Sequence, residues 1–113
     1  MIVALAGLPG TGKTTLAVGL RDAIGAVVVS KDAIRDAAFG PDAVDYSAEQ
    51  NDACMEMAYT AARHVVGRHP DATVVLDGRT FTRRQHVERL LQAAGDMGAE
   101  VRVIRCVCSP DEA

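Results

Sequence analysis

The chain has 113 residues, with 12 Lys and Arg against 15 Asp and Glu, and a formal net charge of −3. Hydrophobic residues make up 49% and charged residues 24%, which is typical of a globular protein and argues against disorder. No apolar run approaches the ~18 residues that span a bilayer, and an acidic chain lacks the basic field of a nucleic-acid coat protein. We therefore expect one domain over residues 1–113 in the cytoplasm, with neither membrane nor extended nucleic acid as a partner.

Cysteine and lysine are rare enough to be informative. The three cysteines, Cys54, Cys106 and Cys108, have no spacing that suggests a disulfide framework or a zinc site. We expect them to be reduced thiols that pack in the interior. Lys13 and Lys31 are the only lysines among the 12 basic residues, and both lie near the site predicted below.

Hydrophobic patterning predicts four strands and four helices along the chain. Strands are expected at residues 2–6, 27–29, 73–77 and 101–108, and helices at about 13–24, 31–38, 47–68 and 82–95. Residues 39–46, which include Gly40 and Pro41, are expected to form a loop. The order β-α-β-α-β-α-β implies a parallel sheet between helix layers, joined by right-handed crossovers.

The third and fourth helices have amphipathic patterns and predicted N-terminal caps. Ser47 with Gln50, and Thr82 with Gln85, have capping-box spacing. The inner face of the third helix is predicted to comprise Cys54, Met57, Ala58, Ala61 and Val65. The apolar face of the fourth helix is predicted to comprise Val87, Leu90, Leu91 and Ala94.

Residues 7–14, Gly-Leu-Pro-Gly-Thr-Gly-Lys-Thr, match G-x-x-x-x-G-K-[ST], the Walker A motif. The motif lies between the first strand and the first helix, where backbone N–H groups and the helix N-terminus can face phosphate oxygens. Lys13 would contact the β- and γ-phosphates of ATP, and the Thr14 hydroxyl would ligate Mg²⁺. The predicted nucleotide site comprises Gly7, Leu8, Pro9, Gly10, Thr11, Gly12, Lys13, Thr14 and Thr15.

Residues 73–77, Thr-Val-Val-Leu-Asp, resemble a Walker B strand. Asp77, at the carboxyl edge of the sheet, would hold Mg²⁺ together with Thr14; alternatively, it caps a turn. A GTPase is not expected, since the only D-x-x-G is Asp22–Gly25, at the end of a helix, and no N-K dipeptide occurs.

Asp32 and Arg35 follow the second strand and share a helix face at i and i+3. Phosphoryl transfer needs a base near the attacking hydroxyl and cations around the transferred group; alternatively, the two form a surface ion pair. With the Walker A motif and residues 77–84, Asp-Gly-Arg-Thr-Phe-Thr-Arg-Arg, this segment resembles the polynucleotide-kinase and zeta-toxin-like branch of P-loop kinases, small kinases also described as AAA family ATPases. The resemblance implies that Asp32 accepts the proton of the acceptor hydroxyl and that Arg35 contacts the acceptor or its phosphate.

The resemblance further implies a three-layer α-β-α fold with sheet order 2-3-1-4, and a fifth strand and an arginine-bearing lid that this chain does not include. Ser109-Pro110 begins a helix signal that Ala113 interrupts, so we expect the chain to be the N-terminal part of a longer protein. Its fourth strand would then have a bare edge, through which we expect homodimers or aggregates.

The expected activity is transfer of the γ-phosphate of ATP to a hydroxyl of a small molecule, a nucleotide or a polynucleotide end, with Lys13 and Asp32 as catalytic residues. Arg79 and Arg83, near the end of the third strand, are further candidates for substrate contact. Other polar residues are expected on the surface: Arg84, Arg89, His64, His69 and His86. The alternative is an ATP-binding module that does not transfer phosphate.

Overall fold

The computed structural model describes residues 1–7 and 12–106, and this part of the chain contains four strands and four helices. The elements are β1 (Ile2–Ala6), α1 (Lys13–Ile24), β2 (Val27–Ser30), α2 (Lys31–Ala43), α3 (Ala48–Arg68), β3 (Val74–Asp77), α4 (Arg84–Met97) and β4 (Val101–Arg105). The predicted strands and helices are all present, and the alternation holds except between β2 and β3, where the helices α2 and α3 follow each other. Three predictions lie outside the described residues: the loop at 8–11, the end of the fourth strand at 107–108 and the helix start at 109–112.

The four strands form a parallel sheet in the order β2-β3-β1-β4, as predicted. Every residue of β1 is buried, because helices cover both faces of the sheet and leave no polar face to a central strand. Alternate residues serve the two faces: Ile2 and Ala4 pack towards α3 and α4, whereas Val3 and Leu5 pack towards α1. The three-layer α-β-α prediction is therefore confirmed.

The carboxyl ends of the parallel strands meet at one edge of the sheet, where two glycines allow close packing. Asp77 of β3 pairs in register with Leu5 of β1 and Ser30 of β2. A Cβ on Gly78 would lie 2.2 Å from the Cβ of Lys31. A Cβ on Gly7 would lie 2.3 Å from the carbonyl oxygen of Cys106. The chain can thus bring the start of α2 against the end of β3, and the end of β4 against the end of β1.

The loop predicted at 39–46 is partly wrong, because α2 continues to Ala43 across a break at Gly40. Gly40 has φ 62° and ψ −174°, which end the first helical segment. Pro41 then starts another turn, since its fixed φ suits the first position of a helix and its missing N–H is not needed there. Residues 44–47 link α2 to α3, and within them Tyr46 has a φ of 55°.

The predicted inner face of α3 is wrong at two positions, since Met57 and Ala61 are exposed. The buried residues of α3 are Gln50, Cys54, Met55, Ala58, Tyr59 and Ala62. The helix packs against α2 and α4 as well as the sheet, and this broader contact is centred about one position away from the predicted stripe.

The capping box predicted at Thr82 does not form. The Thr82 hydroxyl lies 3.0 Å from the Thr80 hydroxyl, and the buried Phe81 has a φ of 54°. Helix α4 begins at Arg84, after an N-cap residue, Arg83, whose side chain makes no capping hydrogen bond. The local turn that buries the Phe81 ring delays the helix.

Two large hydrophobic side chains, Leu91 of α4 and Val103 of β4, are exposed on the surface. Leu91, predicted on the apolar face of α4, is 51% exposed, whereas Ala93 is buried. In the described part of the chain, β4 is an edge strand that pairs with β1 alone, and its Val103 is 50% exposed. Within the same residues, no helix is long and apolar enough to cross a membrane.

Candidate functional site

A cleft of about 680 Å³ lies at the carboxyl edge of the sheet. The starts of α1 and α2, the end of β3 and two residues around the start of α3 form its walls. The lining residues are Gly12, Lys13, Thr14, Thr15, Lys31, Asp32, Arg35, Tyr46, Asn51, Asp77 and Gly78. Seven of these were predicted as site residues, so the fold brings together the described part of the Walker A motif, the Walker B aspartate and the D-x-x-R pair.

The start of α1 has the properties of an anion-binding site. Gly12 is the N-cap in the left-handed region (φ 88°), it makes no side-chain capping bond, and no acidic residue lies in the first turn. The first N–H groups of the helix therefore have no side-chain partner at the N-cap, and the helix dipole favours a negative charge there. Lys13, half-buried, adds a cation beside them. These residues fit phosphate groups; Leu8, Pro9, Gly10 and Thr11 lie outside the described residues.

Thr14 and Asp77 both line the cleft and offer hydroxyl and carboxylate oxygens. Within residues 1–7 and 12–106, no group of three or more His, Cys, Asp and Glu side chains could hold a metal. A small set of hard oxygen donors fits Mg²⁺, which keeps several waters and takes further ligands from substrate phosphates. The donor chemistry at this edge therefore fits the predicted ion.

Arg35 is buried, at 3% exposure, and its guanidinium is bound by several parts of the protein. Its Nη1 donates to Asp32 Oδ1 at 2.7 Å, its Nη2 donates to Asn51 Oδ1, and its Cζ lies 4.7 Å from the centre of the Tyr46 ring. The i, i+3 pair thus forms, between a buried guanidinium and an exposed carboxylate. Arg35 ties α2 to α3 and holds Asp32 at the cleft.

The Asp32 side chain is 76% exposed at the mouth of the cleft, although Arg35 anchors one of its oxygens. The structure thus presents a carboxylate of fixed position to anything that enters the cleft. Sequence reasoning missed Asn51 and Tyr46, because Asn51 lies 16 residues from Arg35 and no local pattern links them.

A second cavity, of about 410 Å³, adjoins the cleft and shares Lys13 and Lys31 with it. Arg79 and Arg83, the other predicted substrate-binding residues, line this second cavity and not the main cleft. Arg79 is engaged by the protein, since its Nη2 donates to Asp52 Oδ1 at 2.6 Å and its Nη1 lies 2.7 Å from His86 Nε2.

Two basic groups around the second cavity have shifted pKa values. Burial, followed by the positive charge of Arg35, lowers the pKa of Lys31 below its usual value, while Asp32 acts in the opposite direction. Burial, followed by the positive charge of Arg79, also lowers the pKa of His86. The region around Lys31 and Arg79 therefore disfavours additional positive charge.

Two surface predictions are wrong, for His86 and for Arg89. His86 is half-buried against Arg79, whereas His64 and His69 are exposed as predicted. Arg89 forms a two-bond ion pair with Glu56, at 2.7 and 2.9 Å, and lies over the Tyr59 ring. Both side chains connect α4 to its neighbours, which its own sequence pattern does not reveal.

Comparisons with protein families and with solved structures identify proteins that this chain resembles. A family model described as an AAA domain matches residues 2–113, and a search of curated proteins finds no match. A candidate kinase from Chloroflexus aurantiacus j-10-fl has a TM-score of 0.80 at 24% identity, over 98% of this chain and 60% of that one. A chain of the Pnkp1/Rnl/Hen1 complex has a TM-score of 0.78 at 19% identity, over 98% of this chain and 36% of that one. A mutant of the Mycobacterium tuberculosis APS kinase CysC has a TM-score of 0.74 at 17% identity, over 93% of this chain and 73% of that one. The chain thus spans little more than half of the first of these proteins and about a third of the second, and it shares the P-loop kinase fold.

Proposed function

Because this chain belongs to the AAA domain family, with the fold of P-loop kinases, we propose that it is an ATP-dependent phosphotransferase. It moves the γ-phosphate of ATP to a hydroxyl of a small molecule, a nucleotide or a polynucleotide end. The observation that carries the proposal is the position of Asp32. Its carboxylate is anchored by Arg35 and exposed in the same cleft as Lys13 and Thr14.

In this mechanism Asp32 takes the proton of the acceptor hydroxyl. The oxygen then forms a bond to the γ-phosphorus while the bond to the leaving ADP oxygen breaks. Lys13 and the N–H groups at the start of α1 stabilise the negative charge of the phosphates. Thr14 and Asp77 would hold Mg²⁺, which when bound supplies further neutralisation of phosphate charge. Leu8, Pro9, Gly10 and Thr11 complete the proposed nucleotide site.

Three further features belong to this proposal. The two core clusters pack on opposite faces of one sheet, which supports a single domain. Cys54 and Cys106 are free thiols, which supports a cytoplasmic location. The exposed edge of β4 supports a homodimer formed through this strand, because unpaired strand edges recruit other strands.

The test is a screen of hydroxyl acceptors with labelled ATP, using wild type, Asp32→Asn and Asp36→Asn. Asp36 is the matched control, since it is an exposed aspartate one turn further along α2 and does not line the cleft. We expect Asp32→Asn to lower the acceptor-dependent rate by about 10²–10⁴-fold, the usual contribution of a general base, with unchanged ATP affinity. Asp36→Asn should match the wild type.

Three results would count against the proposal. Normal turnover by Asp32→Asn would remove the proposed base. An equal loss in Asp36→Asn would point to a general effect on α2. Binding of ATP without transfer to any acceptor would favour the alternative, a nucleotide-binding module.

A further inference from the structure

The second cavity is strongly cationic, although the chain as a whole is acidic. Four basic side chains line it, namely Lys13, Lys31, Arg79 and Arg83, against the single carboxylate of Asp52. Such a concentration of like charge in a concave surface attracts anions. The cavity adjoins the proposed transfer site through Lys13 and Lys31, which line both spaces.

Only some of these cations are available to a ligand. Arg79 donates to Asp52 and contacts His86, and Lys13 serves the nucleotide phosphates in the proposed function. Across residues 1–7 and 12–106, neither Lys31 nor Arg83 forms an ion pair or a side-chain hydrogen bond. These two side chains are therefore free to bind an anion.

The backbone of Lys31 is closely packed at the sheet edge. The Gly78 backbone packs against its Cβ so closely that any other residue at position 78 would collide with it. Burial, followed by the positive charge of Arg35, lowers the pKa of Lys31, whereas Asp32 acts in the opposite direction. An anion bound beside Lys31 would favour its charged form.

We propose that Lys31 and Arg83 bind a phosphate-type anionic group of the acceptor in the second cavity, while the acceptor hydroxyl lies beside Asp32 in the adjoining cleft. The inference rests on the proposed function and names the substrate class of the same site: a small molecule that carries both a hydroxyl and a phosphate-type group. Lys31 directly precedes Asp32 and lines both spaces. One small molecule can therefore place its anionic group against Lys31 and its hydroxyl beside Asp32.

Arg35 has a different role in this arrangement from the one that the resemblance implied. Arg35 is buried and its guanidinium is bound by Asp32 and Asn51, so it positions the base and leaves the acceptor anion to Lys31 and Arg83. The pair combines a mobile ammonium group with a planar guanidinium, a combination suited to a tetrahedral oxyanion.

The test is an amide NMR titration with inorganic phosphate of the chain saturated with Mg²⁺ and the non-hydrolysable analogue β,γ-imido-ATP. The analogue occupies the Walker A site, so added phosphate must bind elsewhere. We expect saturable shifts at Lys31, Gly78 and Arg83 that equal ionic strength in chloride does not produce. Lys31→Met and Arg83→Gln should each weaken phosphate binding by about tenfold or more, since each removes a charge-assisted hydrogen bond.

The matched control is Arg84→Gln, because the Arg84 side chain is 91% exposed, pairs with Glu88 and does not line the cavity. It should bind phosphate as the wild type does. Absence of phosphate binding to the loaded chain, or full binding by both Lys31→Met and Arg83→Gln, would overturn the inference and leave the proposed function intact. Failure of the ATP analogue to bind the wild type would instead overturn the proposed function, and the inference with it.

Discussion

Replacement of Gly78 by alanine should destabilise the protein strongly, although it adds a single methyl group. Gly78 has φ +156°, a conformation that residues with side chains rarely adopt, and strain of this kind costs about 1–3 kcal/mol. The new Cβ would also lie 2.2 Å from the Cβ of Lys31 and 3.2 Å from its backbone nitrogen. The start of α2 would have to move to relieve these contacts, and overpacking of this kind costs a further ~1–3 kcal/mol.

The expected loss is therefore about 2–6 kcal/mol, a large part of the ~5–15 kcal/mol that stabilises a typical domain. For a chain of 113 residues, each kcal/mol lowers the unfolding midpoint by about 4 °C. The midpoint of Gly78→Ala should thus fall by about 8 °C or more, measured by circular dichroism during heating.

Gly19→Ala is the matched control, because Gly19 lies within α1 and a Cβ there would meet no atom within 4 Å. Alanine is favoured over glycine by about 0.5–1 kcal/mol within a helix, so this midpoint should rise by about 2–4 °C. The same chemical change thus has opposite signs at the two positions. A Gly78→Ala midpoint at or above the wild-type value would refute the close packing of Gly78 against Lys31.

Three further predictions concern the nucleotide, the pH dependence and the core. Mg-ATP at about 100 times its dissociation constant should stabilise the wild type by about 2.7 kcal/mol. Lys13→Ala should lose most of this gain because the cation beside the phosphates is removed. An equal thermal shift in both proteins would contradict the role of Lys13 in phosphate binding. The pKa of His86 is lower in the folded protein than its usual value of 6.5. As the pH falls below 6.5 towards the folded-state pKa, the unfolded chain binds more protons than the folded one, so the free energy of unfolding should decrease. Urea unfolding across this range should show a shallower pH dependence for His86→Gln, and identical profiles would argue against the burial of His86 beside Arg79. Leu90→Ala should lose about 2–5 kcal/mol, because Leu90 is buried, whereas Leu91→Ala should change stability by about 0.5 kcal/mol or less; similar losses by denaturant unfolding would show that the helix face is wrongly described.

Local patterns were sufficient for the order of the elements along the chain and for much of the site. A fully apolar segment such as residues 2–6 predicts a central parallel strand, because both of its faces are covered. The Walker A motif directly before the first helix predicts a phosphate site, since glycines and a helix N-terminus create it within a few residues. The i, i+3 spacing of Asp32 and Arg35 likewise predicted their pairing.

Capping and helix faces were less predictable because several local solutions compete. Ser47 caps α3 as its pattern indicates, since its hydroxyl accepts from the Gln50 N–H. Thr82 has the same spacing but does not cap α4. At that position the burial of Phe81 requires a left-handed backbone, and the gain from burying an aromatic ring exceeds that of one capping bond.

The sequence alone determined the order of elements, the phosphate-binding motif and the carboxylate that faces it, because these depend on neighbours in the chain. The tertiary structure decided which basic residues are available for a ligand. Arg35 is bound by Asn51, 16 residues away, and Arg79 by Asp52, 27 residues away, so neither pairing leaves a local signal. Lys31 and Arg83 come to line one cavity because β2 and β3 are neighbours and end at the same edge of the sheet. That proximity is a property of strand order, which sequence spacing does not encode.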